Sequence, residues 1–124
     1  MNKPSDTTSS AGPAQKREPL TGEVMELTAQ RLRVVAEPNR IALLEALNDG
    51  EAGVQELADR VGLPHQNVSH HLSQLHRAGI VSRRREGAVA RYSVVDWSAW
   101  WVVEQIARWV ETCQDDSQQN ALPV

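Results

Sequence analysis

Apolar residues recur at three- and four-residue steps from Leu20 to Val35, where Leu20, Val24, Leu27 and Val34 share a side with Met25, Leu32 and Val35 alongside. That spacing predicts an amphipathic helix with a broad apolar face, broken only by Arg31. Glu37-Pro38 ends the pattern, and Pro38 suits the first position of a new helix, where its missing N–H costs nothing. This second helix carries Ile41, Leu43, Leu44 and Leu47 and stops at Asn48-Asp49-Gly50. Val54, Leu57, Ala58 and Val61 share one face of a short third helix, which Gly62 can close in the left-handed conformation. After Leu63-Pro64 a fourth helix spans about residues 65–78, with Val68, Leu72 and Leu75 inward and Gly79 just beyond its end. Two short helices joined by a glycine-containing turn make a helix-turn-helix.

From Ile80 the period drops from about 3.6 to 2. Ile80–Arg85 and Val89–Val95 read as two strands of a hairpin turning at Glu86-Gly87-Ala88. Asp96 suits the N-cap of a last helix from Trp97 to about Cys113, whose stripe is Ala99, Val102, Val103, Ile106, Trp109, Val110 and Cys113. The predicted fold is mainly α with a small β-hairpin (α+β), four helices, two strands and a helix in order: a winged helix-turn-helix. Residues 20–113 form the expected domain. Residues 1–19, rich in Ser, Thr, Pro and Gly, and the polar residues 114–124 are expected to be flexible tails, because they offer too little apolar surface to offset the entropy of ordering them.

A chain of 124 residues supports one modest core, and chains this short often gain stability by pairing. No apolar stretch serves as a signal sequence or approaches a membrane span, and the one cysteine, Cys113, excludes an internal disulfide, so a cytoplasmic location is expected. The formal net charge of −3 argues mildly against a nucleic-acid partner, but its distribution matters more. Between Asp59 and Tyr92 six arginines face two acids, a local charge of +4.

The outward face of the fourth helix presents His65, Gln66, Asn67, Ser69, His70, Ser73 and Gln74, and no Glu or Lys occurs from Pro64 to Gly79. An ordinary solvated face of that length carries such charges. A helix that reads the major groove instead needs neutral donors and acceptors: Asn and Gln bond adenine edges bidentately, Ser serves base or phosphate, and a carboxylate would repel the backbone. The hairpin adds Arg83, Arg84, Arg85 and Arg91. Alternation sends successive side chains to opposite faces, so not all four meet the same phosphates, and edge protection is the other use of such arginines. Arg84, Arg85 and Arg91 are the expected phosphate contacts.

These residues resemble the ArsR/SmtB family of winged-helix repressors over Ala36 to Asp96. The resemblance is carried by Glu37-Pro38-Asn39-Arg40, Val54-Gln55-Glu56-Leu57-Ala58, Val68-Ser69-His70-His71-Leu72-Ser73-Gln74-Leu75, Ala78-Gly79-Ile80-Val81, Arg84-Arg85-Glu86-Gly87 and Ala90-Arg91-Tyr92-Ser93-Val94. It implies a symmetric dimer through the first and last helices, repression at a promoter palindrome and release by an inducer. The interface residues expected on that basis are Val24, Leu27, Val102, Ile106, Trp109, Val110 and Cys113. The partners are then double-stranded DNA carrying an inverted repeat, a second copy of the chain and a small-molecule inducer.

The same resemblance speaks against metal sensing. Where arsenic sensors of the family carry two cysteines, this chain has Gly53 and Gln55, so the thiolates that soft metals need are missing. Of the family's other site, on the last helix, only Asp96 survives, with Ser98, Trp109 and Thr112 at the remaining positions. His65, His70, His71 and His76 crowd the fourth helix without a four-residue pair on one face, and His71 is expected to pack inward. No metal or cofactor is expected. Trp97, Trp100, Trp101 and Trp109 on the last helix suit dimer packing or a hydrophobic inducer, and at least one must be partly exposed. Cys113 is more simply a small apolar side chain than a redox switch.

No acid pair, nucleophile with a base, or glycine-rich phosphate loop supports an enzyme. The competing class is a winged-helix module that binds protein, which a steep salt dependence of DNA binding would exclude.

Overall fold

The computed structural model describes residues 17–117, so the expected tails over 1–16 and 118–124 lie outside the described residues. Helix α1 (Gly22–Val35) starts two residues later than the apolar pattern suggests, because the Thr21 hydroxyl caps it by accepting from the Val24 N–H. Helix α2 (Pro38–Leu47) begins at Pro38, with the Glu37 carboxylate accepting from the Arg40 N–H. Strand β1 (Ala52–Gly53) runs directly into α3 (Val54–Val61), and α4 (His65–Arg77), β2 (Val81–Glu86), β3 (Val89–Val94) and α5 (Trp97–Ser117) follow. Gly62 ends α3 with φ +70°, the left-handed closure that lets the chain turn sharply into α4.

Two features differ from expectation. Strand β1 makes the hairpin a three-stranded antiparallel sheet in the order β1-β3-β2. Its register pairs Ala52 with Tyr92 and Gly53 with Arg91. Two residues are too few to show an alternation, so nothing local announces this strand. Helix α5 also runs through Ser117 instead of ending near Cys113. The apolar stripe does stop there, but polar residues continue a helix as readily as apolar ones when nothing breaks it.

Leu43, Leu44 and Leu47 of α2, Leu57 of α3, and Val68, Leu72 and Leu75 of α4 are fully buried together. Ile80, Val81, Tyr92 and Val94 close this core from the sheet, and Val35, Trp100 and Val103 close it from the terminal helices. The core thus fixes α4 on α2 and α3 from one side only and leaves its other face outward. Helix α1 packs against α5 and also meets α4, with Arg31 reaching the Ala78 carbonyl at its end.

Candidate nucleic-acid interface

Val68, Leu72 and Leu75 anchor α4, and the helical period then decides what faces out. His65, Gln66, Asn67 and His70 are exposed, while Ser69, Ser73 and Gln74 are half-buried at the edges of the same face. The N-cap position is Pro64, which offers no side chain to the first-turn N–H groups, and that turn holds no acid. The N-terminus of α4 therefore keeps its partial positive charge and free donors beside Gln66 and Asn67. His71 is turned inward as expected. Its Nδ1 lies 3.7 Å from a Glu37 carboxylate oxygen and 3.4 Å from Arg40 Nη1, and its side chain is 14% exposed. The Glu37 carboxyl feels burial pushing its pKa up, but the Asn39 and Arg40 N–H groups, His71 and Arg40 together hold it below its ordinary value. Among the described residues no group of three or more His, Cys, Asp or Glu could hold a metal ion. Asp96, which survives from the family's metal pattern, caps α5 through the Ser98 N–H at 3.1 Å and is bound by Arg31.

In the wing, Arg84 and Arg91, two of the expected phosphate contacts, are paired in the free chain with carboxylates that precede or open α3. Glu51 binds Arg84 through both oxygens, at 2.6 and 3.1 Å, and accepts from Arg91 Nε at 3.2 Å. Glu56 accepts from Arg91 Nη1 at 3.2 Å and from the Gly53 N–H at 3.1 Å. The Arg84 hydrogen bonds lower the Glu51 pKa, outweighing its desolvation, and the Gly53 N–H does the same for Glu56. Arg83 and Arg85 are exposed, and their side chains make no hydrogen bond or ion pair with a described residue. Sequence reasoning missed Glu51 and Glu56 because a basic stretch that begins at Asp59 leaves both out. Begun at Glu51, its charge falls from +4 to +2, which is the signal that was available.

The residues expected at a dimer interface lie on α1 and α5. Val24, Leu27, Ile106, Trp109 and Val110 are exposed, with Ile106 at 58% and Trp109 at 68%, while Val102 and Cys113 are half-buried. An apolar groove of about 610 Å³ is walled by Leu32, Val35, Ile41, Val102, Ile106 and Val110. No tryptophan lines it. Trp100 is buried in the core, its indole N–H without a partner among the described residues, Trp97 is half-buried against that core, and Trp101 and Trp109 are exposed.

A helix-turn-helix with an outward second helix, followed by a β-wing, defines a winged helix-turn-helix protein. Comparison with known proteins makes this more specific. Residues 37–83 match the arsR family of bacterial regulatory proteins. The chain is similar to the HTH-type transcriptional regulator CmtR of Mycobacterium tuberculosis, 42% identical over 78 residues that make up 62% of this chain and 66% of that protein. Among solved structures it is similar to the AntR antimony-specific transcriptional repressor, with TM-score 0.75, 28% identity, and coverage of 84% of this chain and 95% of that one. It is also similar to NolR from Sinorhizobium fredii, with TM-score 0.64, 32% identity, and coverage of 74% of this chain and 95% of that one. The matched stretch spans only 58% and 66% of the lengths of the curated regulators KmtR and CmtR. Among the described residues no helix is long and apolar enough to cross a membrane.

Proposed function

We propose that the protein is a dimeric, sequence-specific DNA-binding transcription regulator, a repressor that leaves a pseudo-palindromic operator when an inducer binds. The observation that carries this reading is the outward face of α4, which has hydrogen-bonding side chains, an uncapped N-terminus and no carboxylate. In this reading Gln66, Asn67, Ser69 and His70 enter the major groove, with His65 and Ser73 at its edges. Two such helices meet half-sites one or two helical turns apart. The second copy covers the exposed side of α1 and α5, including the groove between Leu32 and Ile106, because an apolar surface of that extent is characteristic of an interface. An inducer need not be antimony, although AntR is antimony-specific. One cysteine per chain gives too few thiolates for a soft metalloid site within a protomer. The protein then acts in the cytoplasm, where bacterial DNA lies.

Selection of bound fragments from genomic DNA at two salt concentrations tests the reading. An enriched inverted repeat whose binding weakens at high salt is expected. Failure to enrich any sequence, with no retention of DNA at low salt, would favour a winged-helix module for protein partners.

A further inference from the structure

The pleat divides the wing arginines into two pairs. Cross-strand register sets Arg84 opposite Arg91, so these two share a face, while Arg83 and Arg85, on either side of Arg84, project from the other. On the first face every guanidinium nitrogen meets an oxygen of the protein. Arg84 Nε and Nη2 donate to Glu51, and its Nη1 donates to Glu86 at 3.2 Å. Arg91 Nε donates to Glu51, its Nη1 to Glu56, and its Nη2 to the Glu51 carbonyl at 3.5 Å. Glu51 is the residue common to both arginines, and the pairing of Ala52 and Gly53 with β3 holds it beside them.

A phosphate that approached this face would meet two guanidiniums already shared among three carboxylates. On the opposite face it would meet two cations with no internal partner among the described residues. We propose that Glu51 sets the DNA affinity of the wing by holding Arg84 and Arg91 away from phosphate, so that Arg83 and Arg85 make the wing's backbone contacts. This rests on the DNA-binding reading above. Glu51 therefore acts as a positioning residue and as a brake on non-specific affinity, and its carboxylate ties the wing to the start of α3.

The test uses the full chain and a short duplex of random sequence, because phosphate contacts do not depend on sequence. The slope of log affinity against log salt is measured for three variants. Arg83→Gln with Arg85→Gln should make the slope shallower by about 1.8 per protomer, roughly 0.9 for each phosphate that is no longer neutralised. Arg84→Gln with Arg91→Gln should leave it unchanged. Glu51→Gln should bind more tightly at low salt with a steeper slope, because two guanidiniums become available. A shallower slope from the Arg84/Arg91 pair, no change from the Arg83/Arg85 pair, or weaker binding by Glu51→Gln at unchanged slope would overturn the proposal. If circular dichroism shows Glu51→Gln unfolded, the two arginine pairs decide alone. Absence of binding by the unaltered protein at low salt would overturn the DNA-binding reading itself, and is seen before any variant is compared.

Discussion

Leu72 is fully buried on the inner side of α4, one residue from His71 and two from His70. Its side chain holds the helix down while His70 is presented outward, so one position links core packing to the candidate reading face. Leu72→Ala should lower stability by about 2–5 kcal/mol through reduced burial and the cavity left behind, seen as a fall in the urea midpoint. Asn67 sits at the other extreme. It is exposed and makes no side-chain hydrogen bond with a described residue, so Asn67→Ala should leave folding intact. If the helix reads bases, the same change should cost about 1–3 kcal/mol in operator affinity and relax the base preference at one position. An unaltered preferred site would remove Asn67 from the groove. At this scale the burial periodicity made both residues legible, whereas Glu51 was not, since an isolated acid in a loop has no pattern to betray its partners.

Between elements, Arg31 joins three helices. It leaves α1, donates to Asp96 at the cap of α5, and donates through Nη1 to the Ala78 carbonyl at the end of α4, at 2.8 Å. The end of the candidate reading helix is thereby tied to both helices of the exposed apolar side. Burial pushes the Asp96 pKa up, but the Ser98 hydroxyl and the Arg31 guanidinium outweigh it, and the carboxyl titrates below its ordinary value of 3.8. The unfolded state therefore takes up this proton at higher pH than the folded state does. Stability from Asp96 is complete above the ordinary carboxyl range and is lost as pH falls through the depressed folded value. Asp96→Asn should accordingly flatten the acid limb of the stability profile below about pH 4, measured by thermal unfolding across pH. An unchanged limb would mean that this ion pair is not coupled to folding. In the sequence Arg31 stands out only as an interruption of an apolar face, because its partners lie 47 and 65 residues away.

For the whole molecule, the apolar side of α1 and α5 is the feature that a single chain does not use. Ile106 is more exposed than not, so Ile106→Lys should fold normally while a dimer interface containing it should break. Sedimentation equilibrium is expected to find monomers for Ile106→Lys and dimers for the unaltered protein. A persisting dimer would take α5 out of the interface. Operator affinity should fall with the dimer, since two half-sites then bind independently rather than as one linked pair.

The order of helices and strands, the helix-turn-helix, the position of the wing and the inward set on α4 all followed from the sequence, because periodic burial and caps such as Gly62 and Asp96 act over a few residues. The short strand β1, the commitment of Arg84 and Arg91 to Glu51, and the Arg31 bridge to Ala78 and Asp96 were decided only by the tertiary structure. Each of these joins residues more than thirty positions apart, and a charge in a sequence carries no record of which distant carboxylate the fold will set beside it.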